Sequence, residues 1–343
     1  MLIVRPATHH DTAAIEKLVT SHAAKVTTLP KQIDKLGERI ELSCQAFQAG
    51  GEAALTGEES EAKRFLFVLE DSETGEVLGS AGVDAIAGNG SPFYNYRQDE
   101  LIHASHQLGV HNRVPVLYLT HELTGKTLLC SFTLAESARS SENYKLLSRA
   151  RLLFIDLFNH LFADELIVEI QGVQGEDGES PFWNSLGRHF FNMDFATADY
   201  YSAVKSKTFI AELMPPHPIY VPLLTPEAQA AIGHPHEATE ASCQLLYREG
   251  FRVGKHVDIF DGGPVLSAWR SHITTINSAQ RKRVRSGNVS AGARYLVCNT
   301  HFSDFRCGIA QMTDGLGDVI RVQPKVAELL QLTDNEAMVF APL

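Results

Sequence analysis

Val116-Leu-Tyr-Leu119, Gly125, Leu128-Leu-Cys-Ser-Phe-Thr-Leu134 and Arg139-Ser-Ser-Glu-Asn-Tyr144 follow one another in this chain, and their reading decides its fold. The two apolar runs are rich in residues suited to a buried pleated surface, and Gly125 marks the turn between them. The polar loop opens a helix in which Leu146, Leu147, Ala150, Leu153, Phe154, Leu157, Phe158 and Leu161 recur at helical spacing, so one face packs on a sheet. Strand, polar loop and helix start, in that order, bring unpaired backbone N–H groups and the positive end of a helix dipole to one point. Arg139, Ser140, Ser141 and Asn143 are therefore candidate anion ligands, and a diphosphate suits them.

Upstream, Phe65 to Glu70 and Glu76 to Val83 are strand-like runs joined by Asp71-Ser-Glu-Thr-Gly75, which predicts a hairpin. Met1 to Pro6 reads as a first strand, and Asp11 as the N-cap of a helix carrying Ile15, Leu18 and Val19. A second helix is expected around Ile33, Leu36, Ile40 and Cys44, followed by a surface loop from Gly50 to Glu61. Downstream, Leu166 to Ile170 is a short strand-like run, and Pro181 suits the first turn of a helix opened by Ser180-Pro-Phe-Trp183. Further strands are expected at Thr208 to Leu213 and Val257 to Phe260, with helices around Ala228 to Ile232 and Ala241 to Glu249. From Ser267 the composition changes, with a basic run Arg281-Lys-Arg-Val-Arg285 and a last strand from Met338 to Pro342. The expected division is a domain over 1–264 and a small β-rich domain over 265–343.

The 343 residues are 44% hydrophobic and 21% charged, within the globular range. A net charge of −11 repels polyanions and anionic lipid, which argues against nucleic acid and membrane surfaces as partners, and the basic run reads as a solvated face or a domain contact. The chain begins with no secretory pattern, and no run approaches the roughly 18 apolar residues of a membrane span, so a cytoplasmic protein is expected. Cys44, Cys130, Cys243, Cys298 and Cys307 are odd in number, widely spaced and free of any CxxC pair, which predicts buried thiols. His234-Pro-His236 and His103-x-x-His106 lack a third ligand or a supporting acid at telling spacing, so no metal site is expected.

The order strand, two helices, hairpin, strand, helix, strand, helix, two strands is similar to that of the acyl-CoA N-acyltransferase (GNAT) fold. That is an α+β fold with a mixed, mainly antiparallel sheet flanked by helices. More specific are Thr28-Leu-Pro30, Tyr94-Asn-Tyr-Arg97, Ser180-Pro-Phe-Trp183, Phe190-Phe191 with Met193-Asp-Phe195, Phe209-Ile-Ala-Glu-Leu-Met-Pro215 with His217-Pro-Ile-Tyr220, and Asp258-Ile-Phe-Asp-Gly-Gly-Pro264. Together they resemble the bacterial arginine N-succinyltransferase family over nearly the whole chain. The resemblance implies transfer of succinyl from succinyl-CoA to the α-amino group of L-arginine, in arginine catabolism. Succinyl-CoA would be a co-substrate, no metal would be used, and the chain would self-associate as a homo-oligomer such as a dimer.

His236, after the Ile232-Gly233 pair, matches the family's catalytic proton donor, and Phe132 matches its succinyl-CoA contact. Acyl transfer to an amine needs a polarised thioester carbonyl and a proton for the departing thiolate. An imidazole titrates near 6.5, and such acid–base help contributes roughly 10²–10⁴ in rate. Backbone N–H groups of a splayed strand near Phe132 and Thr133 would polarise the carbonyl. Glu122 and Glu169 are acidic where the family is acidic and are candidates for the arginine guanidinium, while Arg97 is a candidate for a carboxylate. Each has a plainer reading: His236 as a cap or turn residue, the two glutamates as solvated charges, Arg97 as half of an ion pair.

Three positions at two sites depart from the family. Its diphosphate loop has glycine or alanine where this chain has Glu142 and Tyr144, and it has arginine where this chain has Gln171. A carboxylate about 4 Å from a phosphate costs roughly 4 kcal/mol at an effective dielectric near 20. Three readings follow: an active succinyltransferase holding Glu142 outward, an acyltransferase with another amine or acyl donor, or a non-catalytic member.

Overall fold

The computed structural model describes residues 1–21, 29–30, 32–49, 63–204, 208–289, 292–312 and 317–343. Its strands in the first half are β1 (Leu2–Pro6), β2 (Arg64–Asp71), β3 (Val77–Asp84), β4 (Asn95–Ser105), β5 (Val110–Thr120), β6 (Thr127–Leu134) and β7 (Glu165–Glu169). There follow β8 (Ile219–Tyr220), β9 (Arg252–Val257), β10 (Pro264–Trp269), β11 (Gln280–Ser286), β12 (Ala293–Cys298), β13 (Cys307–Met312), β14 (Val319–Val322) and β15 (Ala337–Pro342). The helices are α1 (Thr12–Ser21), α2 (Ile33–Gln48), α3 (Ser141–Leu157), α4 (Pro181–Ser185), α5 (Gly187–Phe191) and α6 (Phe195–Val204). They continue with α7 (Thr208–Leu213), α8 (Pro226–Ala231), α9 (Glu240–Glu249), α10 (Thr274–Ser278) and α11 (Pro324–Leu329).

All the strands join one sheet, in the order β14-β11-β15-β12-β13-β1-β2-β3-β6-β7-β10-β9-β4-β5-β8. The pairs are antiparallel except β6 with β7 and β11 with β14, so the fold is α+β with a mixed, mainly antiparallel sheet. The hairpin β2–β3 turns at Gly75, whose φ of +73° a side-chain-bearing residue adopts only with strain. α3 covers the centre of the sheet. Its Phe154 ring sits edge-on to Phe65 and Phe67 of β2 at 5.2 and 5.1 Å, a favourable aromatic geometry within the main core.

Two irregularities open the sheet where α3 crosses it. β6 pairs with β7 only at Thr127–Leu166 and Leu128–Ile167, and past Leu128 the two strands diverge. β6 also carries a bulge against β3, between the pairs Ser80–Thr133 and Gly82–Cys130, with Ser131 at φ +56°. A bulge of this kind bends the strand and interrupts the ladder.

Several expected elements differ. Thr208 to Leu213 is α7, a helix: Ile210 and Met214, four residues apart, are both buried, which is the helical period. Val257 ends β9, and the residues after it form a turn closed by the Asp258 carboxylate, which accepts the Phe260 and Asp261 N–H groups. Asp11 does not cap α1 but lies in a 3₁₀ turn, accepting from the Thr8 N–H and from Arg5. α3 ends at Leu157, and residues 159–161 form a separate 3₁₀ turn. The basic run is β11, paired on both sides. Gly50 to Glu61 and Thr28 lie outside the described residues. The thiols of Cys130, Cys243, Cys298 and Cys307 are buried and Cys44 is half-buried. β10 begins at Pro264, where the division of the chain was expected, and lies in the sheet between β7 and β9. The later strands continue that sheet through the β13–β1 pair and carry a core of their own around Val284, Ile320 and Phe340.

Candidate active site

Between the diverging ends of β6 and β7 lies a cleft with a cavity volume of about 130 Å³, lined by Phe132, Thr133, Tyr144, Arg151, Glu169 and Gln171 among others. At about 30 Å³ per water, that is room for a short acyl chain. Phe132 stacks on Tyr144, with ring centroids 5.8 Å apart and planes at 28°, so the loop tyrosine forms part of the apolar wall. The Thr133 hydroxyl is buried without a hydrogen-bond partner among the described residues. Such a group is costly unless a ligand or water meets it.

At the open end, the Ser140 hydroxyl caps α3 by accepting the Asn143 N–H at 3.2 Å, and the Asn143 side chain donates to Ala138 O at 2.8 Å. Those two side chains are thus committed to shaping the loop, while Arg139 and Ser141 are exposed at the helix start. Glu142 is held by both arms of the Arg294 guanidinium from β12, at 2.5 and 2.6 Å. Its charge is neutralised by a strand of the C-terminal segment.

His236 stands at the rim. Its backbone N–H donates to Gln171 O at 2.8 Å, and Ala238 and Thr239, two and three residues further on, line the cleft. The His236 Nδ1 accepts the Ala238 N–H at 3.1 Å, which places the proton of the neutral ring on Nε2. His236 therefore caps a turn, the 3₁₀ turn that follows it, and the cap fixes its tautomer. The segment is anchored from below. Gly172 pairs with Pro235, and the buried Asp261 carboxylate accepts the Gly172 and Gly263 N–H groups at 2.7 and 2.8 Å. Burial, and next the charge of Asp258, push the Asp261 carboxyl well above the usual range. A Cβ at Gly263 would come within 2.1 Å of Ile170 O, so the close approach of these backbones requires glycine there.

Of the acidic candidates, Glu169 lines the cleft and accepts from the buried Asn95 side chain at 2.8 Å. Glu122 does not line it: it pairs with Arg97 and lies 3.2 Å from His256 Nε2. Arg97 and Glu122 thus pair with one another, the plainer reading for Arg97, while Glu122 is an ion-pair partner rather than a solvated charge. Arg151, Asp261 and Arg294 were not singled out from the sequence. Arg151 carried a readable signal, since a charge stands on the apolar stripe of α3 four residues after Leu147. Among the described residues no group of three or more His, Cys, Asp or Glu side chains could hold a metal ion.

The family model described as arginine N-succinyltransferase beta subunit matches residues 2–275, and that of the same subunit's C-terminal domain matches residues 280–342. Arginine N-succinyltransferase subunit alpha of Pseudomonas aeruginosa is 40% identical over 339 residues, 98% of each chain. Subunit beta from the same organism is 41% identical over 343 residues, covering 100% of this chain and 98% of its own. The arginine N-succinyltransferase of Salmonella schwarzengrund is 39% identical over 313 residues, 91% of this chain and 89% of its own. A solved structure, arginine/ornithine succinyltransferase subunit AI from Pseudomonas aeruginosa, superposes with a TM-score of 0.89 at 35% identity, covering 100% of this chain and 98% of that one.

Proposed function

The chain belongs to the arginine N-succinyltransferase family and is an acyltransferase, and from that premise we propose how its site transfers succinyl from succinyl-CoA to the α-amino group of L-arginine. The observation that carries this reading is the divergence of β6 and β7 beside the anchored His236 segment. What supports the reading is a cleft for an acyl chain, a helix start suited to an anion and an imidazole, all close to that divergence. The CoA diphosphate lies at the start of α3, over Arg139 and Ser141 and the first backbone N–H groups. The thioester runs along β6 against Phe132, and Thr133 faces its carbonyl.

The neutral α-amine attacks the thioester carbon, so an N–C bond forms and the C–S bond breaks. His236 gives the Nε2 proton to the departing sulfur and takes up the proton lost by the attacking nitrogen. Glu169 faces the arginine guanidinium as a planar carboxylate partner. The reaction serves arginine catabolism, in the cytoplasm and without a metal, in an assembly of several subunits such as a homodimer. Relatives named as alpha and beta subunits favour the assembly, and no helix among the described residues is long and apolar enough to cross a membrane.

The test is calorimetric titration with succinyl-CoA, then arginine in the same cell with a thiol-release assay, and ornithine as the competing amine. Arginine-dependent thiol release is the expected result. An absence of binding at millimolar succinyl-CoA would mean that Glu142 and Tyr144 have closed the donor site.

A further inference from the structure

Among the described residues three arginines are buried, Arg39, Arg149 and Arg151, and the fold treats the third differently. Arg39 meets Asp84 at 2.7 Å and Arg149 meets Glu249 at 3.0 Å. Arg151, 3% exposed, has no carboxylate in ion-pair reach among the described residues. It has neutral acceptors at the long end of hydrogen-bond range. Nη1 donates to Gly82 O and Cys130 O at 3.2 and 3.3 Å, Nε to Ser148 O at 3.4 Å, and Nη2 to Ser148 Oγ at 3.4 Å. A guanidinium has five N–H donors, so one on Nη2 is left over.

A buried charge without a counter-charge is strongly disfavoured unless something supplies one. Burial pulls the Arg151 guanidinium down to about 10, so it stays charged at neutral pH. Its carbon centre stands 5.2 Å over the Phe132 ring, and the side chain lines the cleft between β6 and β7. The missing counter-charge and the acyl cleft are therefore in one place.

We propose that Arg151 is the acyl-donor specificity residue, receiving the terminal carboxylate of a short dicarboxylic acyl group on its remaining N–H edge. The inference rests on the succinyl-CoA reading above and deepens it. The cleft then selects donors by charge at the far end of the chain. A monocarboxylic acyl group of equal length leaves the guanidinium unpaired. Arg97, the cation expected from the sequence for a carboxylate, is already taken by Glu122.

The test compares succinyl-CoA with butyryl-CoA in arginine-dependent thiol release, for the wild type, Arg151→Met and Arg151→Lys. The expected result is a wild type that strongly prefers succinyl-CoA. In Arg151→Met the succinyl-to-butyryl ratio of kcat/KM falls ~10²-fold, with the loss confined to succinyl-CoA. In Arg151→Lys, which keeps the charge but not the fork, the ratio falls ~10-fold. If both donors slow equally, Arg151 only staples the β6 bulge and the inference is overturned. If Arg151→Met fails to fold, an unchanged ratio in Arg151→Lys, or a wild type indifferent to the two donors, overturns it. A wild type inert towards succinyl-CoA but active with another thioester overturns the underlying reading instead.

Discussion

The His236 ring is engaged at Nδ1 by a backbone N–H, so Nε2 is the nitrogen left for any proton exchange. His236→Ala is expected to lower turnover at least ~10²-fold, while far-UV circular dichroism and the unfolding midpoint stay near those of the wild type. Unchanged turnover would remove the histidine from the mechanism. At this scale the sequence was legible where a residue's place follows from its own position on the backbone. Phe132, Thr133 and Glu169, read as neighbours on the strands either side of the helix start, all line the cleft. It was not legible where the role depends on a partner far along the chain. Arg97 and Glu122 spend their charges on each other, and Glu142 spends its charge on Arg294, partners that side-chain chemistry alone does not identify.

The start of α3 is shaped by its own cap and screened by β12. With Arg294 present, the Glu142 carboxylate is balanced before any phosphate arrives. Arg294→Ala should raise KM for succinyl-CoA about fivefold at low salt, with kcat unchanged and the effect shrinking at high ionic strength. The double variant with Glu142→Gln should bring KM back, and a KM indifferent to both changes would place the diphosphate elsewhere. Long, strongly patterned elements were readable: β2, β3 and β6 lie where their apolar strand-like runs put them, and α3 follows its helical period as far as Leu157. Short ones were not. α7 opens with the β-favouring residues Thr208, Phe209 and Ile210, and a helix of fewer than two turns is decided by which side chains the core takes up. The two irregularities that form the cleft, the bulge at Ser131 and the early parting of β6 from β7, leave no compositional trace beyond ordinary strand residues.

At the scale of the whole molecule, the buried Asp84 carboxylate ties Arg39 of α2 and Arg64 of β2 together beside Cys130 of β6. Burial alone would raise its carboxyl, but the two guanidinium groups outweigh burial and hold it below the usual range. Its stabilisation is therefore complete above the ordinary aspartate value of about 3.9 and is lost as pH falls through the depressed value. Asp84→Asn should cost about 3 kcal/mol in urea unfolding at pH 7, since Arg39 is left buried and unpaired. The gap between wild type and variant should narrow only below about pH 4. A gap that closed already near pH 6 would show that another group carries the effect.

The sheet's order has a consequence for how the chain is made. β1 emerges first from the ribosome, yet one of its edges is covered only when Val4 meets Cys307 of β13. At roughly 5–20 residues per second, that edge waits many seconds for its neighbour, and pairing of such high contact order forms late. One edge of β1 is thus an unpaired template until β13 has been made, and the sheet cannot close on that side before then. Truncation within β13 should therefore expose an adhesive edge in the nascent protein before it removes any residue of the cleft.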